Sequence, residues 1–188
     1  MPRIAVPVRA RHVLVLLSVA CLLGGAMPAA AKAPSQDLEH FALTLVNCTR
    51  SGGWVRADGS CKGRGTGHYS AYRKPLTLHS GIASRVSRPY AAKLAAANAC
   101  EHNLWGSSIQ QRFHQGGYRG TPYGESIGCS GGYTTRQMVI RTHRSMQAER
   151  SSNGWHWKNM KNPAFKHVGI GIARHGSQSR VVYDFYGD

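Results

Sequence analysis

What this sequence has least of is negative charge. Eight Asp and Glu stand against 24 Lys and Arg, a formal net charge of +16 with histidine neutral. That imbalance directs the chain toward polyanions, whether cell-wall polymers, anionic lipid headgroups or nucleic acid. The same surplus also serves plain solubility. The basic residues are scattered, so composition alone names no binding groove. Also missing is any CxxC pair, which argues against a thiolate metal site. Beyond residue 31 there is no apolar run approaching the ~20 residues of a membrane-spanning helix. No internal repeat is present, and nothing divides residues 32–188 into two domains.

The first 31 residues are the exception to that polar character. Arg3, Arg9 and Arg11 precede the apolar run VLVLLSVACLLGGA, and Ala29-Ala30-Ala31 precedes Lys32. This is the pattern of a secretory signal peptide. Ser18-Val19-Ala20-Cys21 suits a lipoprotein acylation signal poorly. The mature chain, residues 32–188, is therefore expected to be secreted, extracellular and soluble. With 21 basic and eight acidic residues it keeps a net charge of +13. Its length fits one domain with one core.

Four cysteines survive cleavage: Cys48, Cys61, Cys100 and Cys129. An even count in an exported chain points to disulfides. Of three connectivities the sequential one is expected, Cys48–Cys61 with Cys100–Cys129. Each closed loop would contribute about 3 kcal/mol on the chain-entropy view.

Ser35 is a candidate cap for a first helix, in which Leu38, Phe41, Ala42, Leu45 and Val46 form one apolar stripe ending near Cys48. The glycine-rich stretch 49–68 reads as irregular, with a small hairpin turning at Asp58-Gly59. Residues 69–88 stay ambiguous, with Leu76, Leu78 and Ile82 available for packing. Pro89 opens a second, alanine-rich helix running from 90 to about 102. A loop over 103–122 leads to a short strand, YGESIG. Thr134 or Thr135 caps a third helix through about 149, with Met138, Thr142 and Met146 on one face. One helical turn comes next, over 155–160. Two strands, HVGIGIA (167–173) and RVVYDF (180–185), close the chain around a turn at Gly176-Ser177. Helices plus a terminal hairpin indicate an α+β layered domain with an antiparallel sheet.

Three residues are candidates for chemistry: His102, Glu125 and His156. Taken singly, His102 reads as a helix-end or surface histidine, and His156, between two tryptophans, as an aromatic packing partner. Glu125 has the better case, because a carboxylate in an apolar strand is expensive to bury without partners. Together they suit a divalent-metal site, zinc first, or an acid–base group in which the glutamate orients a histidine.

The order of these pieces resembles the CAP superfamily, the SCP-like extracellular domain of cysteine-rich secretory, antigen and pathogenesis-related proteins, and its bacterial branch in particular. Ala95-Ala96-Ala97 lead to His102, and Arg112 precedes Gly117-Tyr118. Gly124-Glu125-Ser126-Ile127 and His156-Trp157-Lys158-Asn159-Met160 come after them. Phe165, Val168-Gly169-Ile170-Gly171 and Val182 to Phe185 complete the match, which covers roughly residues 36–188. The resemblance implies a single-domain α–β–α sandwich with a small antiparallel sheet. It maps His102, Glu125 and His156 onto the family's cleft, with Asn159 supporting the turn that carries His156. Ser126 stands where an asparagine is usual, and His143 where a tryptophan is. The second cleft glutamate falls on Met146, with Glu149 near but out of step. The function this resemblance implies is a cleft that binds a ligand or divalent metal. The alternatives are a metal-assisted hydrolase, with His102 and His156 holding the ion and Glu125 as ligand or base, and a basic nuclease or cell-wall-acting enzyme. The residues do not decide whether the chain is an enzyme.

Overall fold

The stripe of Ala42, Leu45 and Val46 winds into the helix α1 (Pro34–Arg50) and is buried along its length. The structure, a computed structural model, describes residues 34–187, and the expected signal segment over 1–31 lies outside the described residues. Ser35, expected to cap α1, lies within it. The small hairpin forms as expected from β1 (Trp54–Val55) and β2 (Cys61–Lys62). Its turn uses Gly59 at φ 82°, and the Cys48–Cys61 disulfide ties it to α1.

The ambiguous stretch resolves into a short strand, β3 (Thr77–Leu78), and the start of a helix well before Pro89. That helix runs as α2 (Ser80–Ile82), widens through a π turn at Ala83–Ser87, and continues as α3 (Arg88–Ala96). Pro89 lacks an N–H and crowds the preceding turn, and a widened turn just ahead of it relieves that conflict. The helix also stops early. Asn98 takes a left-handed φ of 49°, Ala99 N donates to Leu94 O and Asn98 N to Ala95 O, the paired bonds of a Schellman stop. His102 therefore stands on the loop beyond α3, not at its end.

Residues 103–122, expected as loop, contain α4 (Ile109–Gln115). It opens with a reciprocal capping box between Ser108 and Gln111. After β4 (Tyr123–Gly131), a second such box between Thr134 and Gln137 starts α5 (Thr135–Ala148). Met138, Thr142 and Met146 are buried on its inner face, as the sequence suggested. A tight 3-10 turn at Glu149–Ser152 leads to α6 (Trp155–Lys161), and β5 (His167–His175) and β6 (Gln178–Tyr186) close the chain.

The sheet has the order β3-β5-β6-β4, antiparallel except for the short parallel β3–β5 pair. Helices α1, α5 and α6 cover one face over Val168, Ile170, Val181, Tyr183 and Phe185. The α2–α3 helix and α4 cover the other, over Val182, Ile127 and Tyr186. Side chains alternate along a strand, so β6 feeds both layers. Gly169 and Gly171 let the π turn lie directly on β5, since a Cβ at either position would collide with Ser87. The result is an α–β–α sandwich, as expected.

Candidate functional site

Glu125 points from β4 into the layer of α3 and α4 and is only 5% exposed. Its partners explain how a carboxylate survives there. His102 Nδ1 approaches Oε1 at 2.7 Å, and Arg112 Nη2 donates to Oε2 at 2.5 Å. A carboxylate only accepts, so His102 carries its proton on Nδ1. The Cys100–Cys129 disulfide joins the His102 loop to β4, as the cysteine pattern led one to expect.

Arg112 is the residue that sequence reasoning left without a role. It lies on α4 with its guanidinium 3.4 Å from the Tyr90 ring centroid, and donates from Nη1 to the His102 carbonyl at 2.9 Å and also to the Ser107 carbonyl. One side chain thus sets both the Glu125 carboxylate and the backbone of the His102 loop. The signal that would have found it is the Ser108-x-x-Gln111 box, which marks a helix start and puts Arg112 on its first full turn.

His156 does not join this pair. Its helix α6 packs on the other face of the sheet, and its Nδ1 meets Glu149 Oε1 at 2.5 Å. Glu149 Oε2 also accepts from His156 N at 3.0 Å. The N-cap residue of α6 is Gly154, which has no side chain to cap with, so the Glu149 carboxylate does so from the preceding turn. A Cβ at Gly154 would collide with that carboxylate. The carboxylate that faces His156 is thus Glu149, while Met146 is buried on α5.

Asn159 links the two halves. Its Nδ2 donates to the Glu125 carbonyl at 2.9 Å and to Ser126 Oγ at 3.3 Å, so it joins α6 to β4 more than it braces the His156 turn. Gly124 is needed beside it, because a Cβ there would lie 2.8 Å from Asn159 Oδ1. The end of α6 is held by Arg50, which is buried and donates to the carbonyls of Lys74, Met160, Asn162 and Phe165.

The expected metal trio is not assembled. Among the described residues no three His, Cys, Asp or Glu side chains come together as a metal-holding group. Both oxygens of Glu125 are already engaged, and His102 and His156 belong to different carboxylates. The residues present do not fit a protein-held zinc ion with three ligands.

A concavity of about 680 Å³ lies beside β4. Ile127 to Gly131 form one wall, and Arg141, Thr142, Arg144, Ser145 and Met146 of α5 form the other, with Glu149 and His156 at one end. Arg141 stacks on Tyr133 at 4.3 Å, and among the described residues neither Arg141 nor Arg144 has a carboxylate partner. The groove is therefore basic. His102 and Glu125 do not line it.

Comparison with known proteins gives no matching family model and no curated protein. Solved structures do match. An extracellular SCP-domain protein from Bacillus anthracis aligns at 14% identity and TM-score 0.56, over 85% of this chain and 45% of its own. An outer surface protein from Borrelia burgdorferi aligns at 14% identity and TM-score 0.57, over 84% and 97%. NaASP2, solved with Zn2+, aligns at 16% identity and TM-score 0.54, over 80% of both chains. The described chain has an SCP/CAP-like fold, shared with these solved structures.

Proposed function

We propose that this chain is an exported binding module that holds an anionic ligand in the groove between β4 and α5. The observation that carries the reading is the pair of arginines, Arg141 and Arg144, on the wall of a 680 Å³ concavity whose one carboxylate, Glu149, is engaged by His156 and which among the described residues leaves neither arginine ion-paired. Two disulfides suit an oxidising compartment. The imidazole–carboxylate pairs support architecture first: Glu125 is locked by Arg112, and Glu149 caps α6. NaASP2 was solved with Zn2+, but either pair here offers an ion only two donors. The test is retention on immobilised polyphosphate at moderate salt. Arg141→Ala/Arg144→Ala should elute earlier than wild type, while Lys62→Ala/Arg64→Ala, away from the groove, should not. Equal losses in both would reduce the association to net charge.

Acid–base hydrolysis is the second reading, favoured by the 2.5 Å contact between His156 and Glu149 on the groove wall. Incubation with DNA, RNA and a peptidoglycan preparation, with and without chelator, should give no cleavage. Turnover abolished in Glu149→Gln would replace the binding reading with this one.

A further inference from the structure

We infer that the groove accepts an extended acidic peptide, which adds to the free edge of β4 as a fifth strand. The inference rests on reading the groove as a binding site and names what occupies it. It begins with the hydrogen-bond phase of β4. Beyond the two ends of β4, Gly132 N donates to Ser177 O at 3.3 Å and Gly187 N to Pro122 O at 2.9 Å, continuing its ladder with β6. In an antiparallel ladder these pairs recur at every second residue. Gly124, Ser126, Gly128 and Ser130 therefore turn their backbone groups toward β6. Glu125, Ile127, Cys129 and Gly131 turn theirs away from it.

Among the described residues no strand lies on that outer side, because β4 is the last in the sheet. The Glu125 carbonyl is taken by Asn159. For Ile127, Cys129 and Gly131 no partner of the outward N–H and C=O is found among the described residues. All three line the groove. Edge groups of this kind form a template for another extended chain. Here the template lies along a concavity, with α5 as its far wall.

Charge selects the occupant. Arg141 and Arg144 face a strand docked on this edge, and the paired His156 and Glu149 stand at one end, so acidic side chains on the incoming peptide meet the two arginines along the groove. A second copy of this chain would bring its own Arg141 and Arg144 against the first pair, on a mature body of net charge +13. That repulsion disfavours pairing between copies through β4. The short reach of Gly128 and Gly131 keeps the edge low, and Gly128 is held small by Thr142, with which a Cβ would collide.

The probe is a synthetic peptide alternating Glu and Val, compared with its fully N-methylated analogue and with polyphosphate. Binding is read by calorimetry and residue-resolved amide exchange on the full folded chain. The peptide should bind and slow exchange at the N–H of Ile127, Cys129 and Gly131. Gly128 and Ser130, already bonded to β6, should not change. N-methylation removes the donors and keeps the charge, so it should weaken binding by about tenfold or more. Arg144→Glu should abolish peptide binding without unfolding the chain, because Arg144 is exposed.

Equal affinity of the two peptides, or protection that ignores the odd–even phase, overturns strand addition. If polyphosphate still needs Arg141 and Arg144 in that case, the groove reading survives alone. If neither probe responds to those arginines, both readings fall. Protection of the same three N–H groups in a dimer without peptide would make a second copy the occupant and overturn the acidic-peptide assignment.

Discussion

Glu125 and Asp184 stand directly opposite each other on adjacent strands, both pointing into the layer of α3 and α4, the first nearly buried and the second wholly so. Glu125 is compensated by His102 and Arg112, whereas among the described residues neither oxygen of Asp184 has a hydrogen-bond donor. Burial first, and the neighbouring Glu125 carboxylate second, push Asp184 well above the usual carboxylate range, while Ser87 and Arg112 pull the other way. The Ser87 hydroxyl faces Asp184 from the π turn without a well-formed hydrogen bond to it, so it opposes the shift only weakly. Two like charges side by side in a low-dielectric layer are untenable, and the uncompensated acid is the one that keeps its proton.

That retained proton fixes the sign of the pH effect. Between the ordinary value of 3.8 and the raised one, the folded chain holds a proton that the unfolded chain has lost. Stability therefore falls as pH climbs through that window. Asp184→Asn, neutral throughout and able to donate to Glu125, should show a shallower decline of melting temperature from acid to alkaline pH. Identical slopes in the two proteins would mean that Asp184 is ionised.

His143 gives the opposite slope. It is fully buried on α5, and burial lowers it from 6.5 to about 3. Thr49 Oγ1 gives its proton to Gln147 and so accepts from His143 Nε2 at 2.8 Å, which leaves Nδ1 bare. The unfolded chain takes up a proton near 6.5 and the folded chain does not. Stability is full above 6.5 and drains away as pH falls toward about 3. His143→Gln preserves a donor to Thr49, and its melting temperature should hold better between about pH 6 and 4. No difference in that range would rule out His143 as the acid-sensitive group.

Removing Arg112 should cost more than removing His102. Arg112→Met strips a buried partner from Glu125 and leaves two carbonyls unpaired, a loss of about 3–5 kcal/mol in denaturant unfolding. His102→Ala, at a side chain 45% exposed, should cost about 1 kcal/mol or less. Arg112→Lys should recover little, because an ammonium lacks the planar fork that lies on Tyr90 while reaching three acceptors. Equal effects of the two removals would contradict the central place of Arg112.

Reduction should weaken the chain through its larger loop. Cys100 and Cys129 are 29 positions apart, and on the chain-entropy view that closure is worth about 3–4 kcal/mol. Cys100→Ser/Cys129→Ser should also speed amide exchange over residues 100–107, which include the His102 backbone. An unchanged exchange pattern would show that Arg112 alone holds that loop.

The elements were legible wherever one residue's neighbours set its conformation. The stripe on α1, the Thr134 cap of α5 and the alternation of β5 and β6 are local signals, and each appears within a few residues of its expected place. His102 with Glu125 was legible through order and spacing. What failed depended on partners distant in sequence or on single backbone angles. Pro89 looked like a helix start because proline suits a first turn, yet a π turn upstream let the helix begin at Ser80. Asn98 ended the alanine run through one left-handed residue. His156 was expected beside Glu125 because spacing does not show which face of a sheet a later helix will cover.

The order of strands carries a last consequence, in time and not in space. The two earlier strands of the four-stranded sheet, β3 and β4, pair among the described residues only with members of the β5–β6 hairpin, at the far end of the described chain. A growing polypeptide therefore has nothing to build this sheet on until residues 167–186 have been made. The described residues before His167 can form helices and the small β1–β2 hairpin, but not the layer they pack against. A chain so arranged postpones the closing of its core until the β5–β6 hairpin has emerged, and every earlier helix waits on that event.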